Sequence, residues 1–208
     1  PPFKPEHFRR VDEGDDAAFY DFPRLVAHID EAASAALAAF YGRLLKPGGA
    51  VLDLMSSYVS HLPRDIVYGE VVGLGMNSDE MRANRQLHRH VVHDRNREPR
   101  LRFAGEAFDG VLLSVSAQYL VQPVQVFREV ARVLRRGAPF AVAYSNRLFP
   151  TKAVAIWQAL DDRQHGELVC QYICVAGGFD APTVIDLSPA PGESDPIWVV
   201  KARRLGPG

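Results

Sequence analysis

Apolar and polar positions along the chain follow two periods. Val26, Ile29, Ala33, Leu37, Phe40, Tyr41 and Leu44 recur at three- and four-residue spacing, which predicts one face of an amphipathic helix stopped by Lys46-Pro47-Gly48-Gly49. Ala50-Val51-Leu52-Asp53-Leu54 is nearly all apolar and is followed by small polar residues, the pattern of a central parallel strand buried on both faces. Glu70 to Gly75 predicts a second strand, with Ser78-Asp79-Glu80-Met81 after it as a helix cap and first turn. His90 to His93 is a weaker third strand, and Phe108 to Ser114 a stronger fourth. Pro123, Val124, Phe127, Val130 and Leu134 mark a helix with proline in its first turn, ended by Arg135-Arg136-Gly137 and followed at once by a fifth strand, Pro139 to Tyr144. Thr151 to Gly177 reads as one or two helices carrying Val154, Trp157, Leu160, Leu168 and Tyr172 inward. Thr183 to Leu187 and Ile197 to Val200, separated by a proline-rich loop, predict a closing hairpin.

Strands alternating with helices imply an α/β fold, a doubly wound, Rossmann-like, mostly parallel sheet of seven strands with helices on both faces and a C-terminal antiparallel hairpin. Ligands in such sheets bind outside the carboxyl ends of the strands, so the residues just after the first, second, fourth and fifth strands are the ones to inspect. A chain of 208 residues suits one domain, with residues 1–45 as an N-terminal helical cap and 46–208 as the core.

Composition changes this picture little. Lys plus Arg (24) nearly balance Asp plus Glu (25), so no global field points to nucleic acid or an anionic surface. The locally basic run from Arg82 to Arg102, with His88, His90 and His93, reads first as a solvated edge around the third strand. No apolar run reaches the roughly 20 residues of a membrane helix, and no basic-then-apolar leader opens the chain, so a soluble, cytoplasmic protein is expected. The first residue is Pro1, and residues preceding it are expected. Cys170 and Cys174 are read as small buried apolar residues on one helix face, and no metal-ligand pattern stands out.

The order of elements over about residues 40 to 203 resembles the class I S-adenosylmethionine-dependent methyltransferases, in particular the methyltransferase type 11-like group. Val51-Leu52-Asp53-Leu54 is similar to that family's first strand, Val71-Val72-Gly73-Leu74 to its second and Phe108-Asp109-Gly110-Val111 to its fourth. The most specific match is Phe127 to Gly137, the helix and turn into the fifth strand. The resemblance implies S-adenosylmethionine as cofactor, methyl transfer to a small-molecule partner, and an antiparallel strand near the sheet's end. Two motifs depart from it. The loop after the first strand, Met55-Ser56-Ser57-Tyr58-Val59-Ser60-His61, has no glycine, and Gly75-Met76-Asn77 stands where a ribose-binding carboxylate is usual.

Carried over residue by residue, the resemblance gives Asp53, Met55, Ser56, Ser57, Met76, Asn77, Asp94, Arg95 and Ser114 as candidate cofactor-binding positions. Asp53 is costly to bury without partners, Ser56 and Ser57 are hydroxyl donors suited either to a ligand carboxylate or to a cap, and Asn77 is a weaker acceptor than a carboxylate. Tyr20 and His28 are expected to cover the crevice, while Tyr119, Asn146 and Arg147 are candidate substrate contacts, with Gln118 and Lys152 near them. No catalytic acid or base stands out, in keeping with a reaction that needs mainly positioning and desolvation. The alternatives are a catalytically inactive methyltransferase-like binding module and, more remotely, a hydrolase using Ser57 and His61.

Overall fold

The computed structural model describes residues 2–206. Seven strands form one sheet in the order β3-β2-β1-β4-β5-β7-β6: β1 (Ala50–Leu54), β2 (Glu70–Gly75), β3 (Arg89–Val92), β4 (Gly110–Ser114), β5 (Pro139–Tyr144), β6 (Thr183–Asp186) and β7 (Trp198–Arg203). β1 to β5 pair in parallel, and β7 runs antiparallel to both β5 and β6. The apolar runs of the first, second and fifth strands thus become strands at the positions read from the sequence. The fourth begins two residues late, because Phe108 makes only an isolated bridge to Leu134. β3 is an edge strand, exposed at Arg89 and Val92, which explains its weak apolar signal.

The helices are α1 (Asp16–Tyr20), α2 (Glu31–Leu44), α3 (Ser78–Ala83), α4 (Pro123–Val133), α5 (Ala155–Gln158) and α6 (Asp162–Ala176). Period-two alternation divides the sheet between two cores. Leu52, Leu54, Leu113, Phe140 and Val142 pack with Val126, Phe127 and Val130 of α4 and Leu168 and Tyr172 of α6. Val51, Val71, Leu112, Ala141 and Val199 pack with Ala33, Leu37, Phe40 and Tyr41 of α2. The crossover from β4 to β5 is the helix α4, whereas residues 55–69 cross from β1 to β2 with no helix, so α2 from before β1 covers that face.

Three expectations are corrected. α2 starts at Glu31, capped by Asp30, so Ile29 is buried ahead of the helix and Val26 lies in an exposed loop. α3 is capped by Asn77, one residue before the predicted cap. Cys174 is exposed and Cys170 only half-buried, because the inward face of α6 is given to Leu168, Val169, Tyr172 and Ile173. No helix of the described residues is long and apolar enough to cross a membrane.

Candidate functional site

The carboxyl ends of β1, β2 and β4 open into a crevice of about 320 Å³, roofed by the segment from Asp16 to His28 and walled by the loop after β5. Its floor is Asp53, which is 2 % exposed and accepts hydrogen bonds at one oxygen, Oδ2, from Ser56 Oγ and Ser60 Oγ, both at 2.6 Å. Burial pushes its carboxyl up to about 6, with the two hydroxyls pulling the other way. Beside it, Glu80 accepts from Ser57 Oγ at 2.5 Å and from the Arg24 amide at 2.7 Å. Asn84 donates to Ser60 Oγ and to the Ser57 carbonyl, which ties the coil after β1 to the end of α3.

The serines are therefore neither helix caps nor free donors: their hydroxyls hold the chain's own carboxylates. This stitching shapes a loop that has no glycine. Met55 takes the left-handed backbone, at φ 58°, that glycine adopts without penalty. Gly75 supplies the close approach instead, since a Cβ there would lie 2.1 Å from the Ser56 carbonyl oxygen. Val115, just past β4, and His61, in the coil after β1, are also left-handed, at φ 49° and 52°, so three of the residues lining the crevice hold strained backbone.

The structure brings together most of the residues singled out in the sequence. Asp53, Met55, Ser56, Ser57, Met76, Asn77, Arg95, Ser114, Tyr20, His28, Tyr119 and Arg147 all line the crevice. Several have their polar groups committed. Asn77 Oδ1 caps α3 and Nδ2 donates to the carbonyls of Tyr20 and Asp21, so the side chain fastens the roof. Ser114 Oγ meets the Tyr41 hydroxyl at 2.8 Å, Tyr119 accepts from the Phe149 amide, and Arg147 pairs with Asp195 at 2.8 Å. Arg95 is 2 % exposed, donates to the His93 carbonyl and leaves Nε unpartnered, and burial lowers its guanidinium to about 10. It and the buried His93 are exceptions to the solvated basic edge, where Arg82, Arg89 and Arg102 do pair with acids at the surface.

Others lie outside the crevice. Asp94 caps the following turn by accepting from the amides of Asn96 and Arg97, while Asn146 is solvent-exposed. Gln118 is buried and donates to the carbonyls of Val115 and Arg147, a structural brace. Lys152 is wholly buried, with Nζ 3.1 Å from Asp12 and from Asp16, so this cation of the loop after β5 anchors the roof. Ser57 and His61 share no hydrogen bond: Ser57 is on Glu80, and His61 Nδ1 lies 2.7 Å from Ser34 Oγ, which dismantles the hydrolase pair.

Sequence reasoning missed Glu80, Arg24 and Asn96, all of which line the crevice. Only Glu80 had a legible signal, three residues past the Asn77 cap and so turned back toward the strand ends. Arg24 depends on tertiary contact: its guanidinium lies 4.7 Å from the Phe19 ring centroid and 5.3 Å from that of Phe149.

The residues present suit a cationic, hydroxyl-bearing ligand. Two buried carboxylates offer acceptors for ammonium and hydroxyl donors, and the aromatic side chains of Tyr20, Tyr119 and Phe149 line the same crevice. Residues 56–142 match the profile of the family described as "Methyltransferase domain". No curated protein sequence matches the chain. In fold it is similar to the geranyl diphosphate C-methyltransferase of Streptomyces coelicolor A3(2), with 14% identity over 82% of this chain and 77% of that one at a TM-score of 0.54. It is likewise similar to an S-adenosylmethionine dependent methyltransferase from Mesorhizobium loti, with 15% identity, 83% and 100% coverage and a TM-score of 0.56. The [4+2]-cyclase SpnF shares the fold as well, with 14% identity, 82% and 81% coverage and a TM-score of 0.60.

Proposed function

From the fold and the match of residues 56–142 we propose that the chain is a class I methyltransferase that binds S-adenosylmethionine in the crevice and methylates a small molecule there. The observation that carries the reading is Asp53, a buried carboxylate at the end of the central strand, held by serines and bordering the crevice. When bound, the cofactor supplies an electrophilic methyl group on a sulfonium. The chain's part is to bind and desolvate it. Asp53 and Glu80 present acceptors, Met55 and Met76 give apolar contact, and Asp16 to His28 exclude water. Removing water favours a transition state in which positive charge is dispersed, which is why no strong acid is required.

A crevice of about 320 Å³ under a roof pinned by Asn77 and Lys152 is the size of a small-molecule site. We therefore favour a small acceptor over a macromolecule, and we assign residues 1–45 to a cap and 46–208 to the core. The unpaired Cys170 and Cys174 fit a reducing, cytoplasmic setting. Calorimetry with S-adenosylmethionine and S-adenosylhomocysteine tests the reading: both are expected to bind, and Asp53→Ala to abolish binding while the circular dichroism spectrum is unchanged. Absence of binding by the folded wild type overturns it; binding without turnover across an acceptor screen favours the inactive module.

A further inference from the structure

One side chain of the crevice has no part in holding the cofactor under the reading above. His61 is 5 % exposed, lines the crevice and sits in left-handed backbone at φ 52°, a conformation that persists only where the surroundings fix it. Its Nδ1 is 2.7 Å from Oγ of Ser34, whose own amide is held by the Asp30 carbonyl at 2.9 Å in the first turn of α2. Among the described residues no hydrogen bond reaches Nε2.

The carboxylates of the crevice are occupied, and His28, the other histidine lining it, has no hydrogen bond among the described residues but stands half-buried in the roof, its ring edge-on to Phe149, with nothing to fix its tautomer. Asp53 Oδ2 takes two serine hydroxyls; Glu80 takes Ser57 and the Arg24 amide; Asp16 is clasped by Arg10, Lys152 and Asn96. Burial raises the Tyr20 and Tyr119 hydroxyls, so both stay protonated. Burial also lowers His61 to about 4, with His28 adding a smaller effect in the same direction, so the ring is neutral near neutral pH and one nitrogen keeps its lone pair.

We propose that His61 is the catalytic base of the transfer, taking the proton of a protic acceptor at Nε2, while Ser34 acts as the positioning residue by accepting from Nδ1–H. The inference rests on the methyl-transfer reading and narrows it: the acceptor atom is an O–H, N–H or S–H nucleophile, since a tertiary amine or a thioether has no proton to lose. The acceptor's lone pair forms the new bond to the methyl carbon, the carbon–sulfur bond breaks with its electron pair remaining on sulfur, and the acceptor's proton passes to Nε2, giving an imidazolium.

The test is a structure of the full chain with S-adenosylhomocysteine, joined to nitrogen-15 spectra of the histidine rings and calorimetry on His61→Gln. The thioether sulfur is expected within about 8 Å of His61 Nε2, the span of one in-line acceptor atom hydrogen-bonded to a base. The ring is expected to be neutral with its proton on Nδ1 near neutral pH, and Ser34→Ala to populate the other tautomer. His61→Gln is expected to leave S-adenosylhomocysteine affinity within about twofold. A remote sulfur, a proton on Nε2, or loss of binding in His61→Gln overturns the proposal while leaving the methyl-transfer reading in place. Failure of the wild type to bind removes that reading and this inference with it.

Discussion

The sheet makes two of its parallel crossovers in opposite ways. From β4 to β5 the chain uses α4, an amphipathic helix with proline in its first turn whose buried face carries Val126, Phe127 and Val130 into the larger core. From β1 to β2 it uses residues 55–69, a coil with no helix, held by Ser56 and Ser60 on Asp53, Ser57 on Glu80 and Asn84 on the coil's backbone. The first crossover is fixed by apolar area, which is non-directional and tolerant of detail. The second is fixed by a few directional hydrogen bonds to buried carboxylates, which specify one arrangement and fail when a single partner is lost. Candidate site residues such as Met55, Ser56, Ser57 and His61 lie on the second, where polar groups must be positioned rather than merely covered.

Substitutions on the two sides should separate stability from binding. The largest effect is expected from Phe127→Ala in the helical crossover. Phe127 is fully buried, with its ring 4.9 Å from that of Phe140, so the loss should be about 3–5 kcal/mol in urea denaturation, with cofactor affinity unchanged in the protein that remains folded. A larger loss of binding than of stability would mean that the helix shapes the site. On the coil, Asp53 reports through pH. Its folded pKa of about 6 lies above the unfolded value, so the native state binds more protons than the unfolded one between about pH 4 and 6. Wild-type stability relative to Asp53→Asn should therefore fall as pH rises through that window, by on the order of 2–3 kcal/mol, and level off above it. A flat difference would show that Asp53 ionises without penalty.

Smaller effects sharpen the contrast. Ser60→Ala deletes one hydroxyl from a buried carboxylate and leaves Asn84 without one acceptor, which should cost about 1–3 kcal/mol and weaken S-adenosylhomocysteine binding in calorimetry. Met55→Gly should change least: relief of left-handed strain outweighs the entropy of glycine, for a gain of about 0.5 kcal/mol in thermal denaturation. A clear loss there would mean that the Met55 side chain, which packs against the larger core, outweighs its backbone strain.

The same contrast explains how much of the molecule was legible. Strands such as Ala50–Leu54 and Pro139–Tyr144, and the helix from Pro123, are marked by apolar runs and punctuation that act locally, and the structure repeats them at or within a residue or two of the predicted limits. The crevice was legible as a place, because strand order puts Asp53, Met76 and Ser114 at neighbouring carboxyl ends. Its wiring was not. Lys152 looks like a loop cation until Asp12 and Asp16 are brought to it from far along the chain, and Asp94 looks like a ligand until its carboxylate is seen capping its own turn.

The sequence alone determined the strands, the doubly wound sheet they form and the end at which the crevice opens, since hydrophobic periodicity and turn residues depend only on near neighbours in the chain. Only the tertiary structure decided which polar groups are spent and which are left over. Ser57 and Glu80, Ser34 and His61, or Tyr41 and Ser114 meet across 23, 27 and 73 positions. Partner choice at such separations is set by how packed elements close on one another, and no local pattern records it.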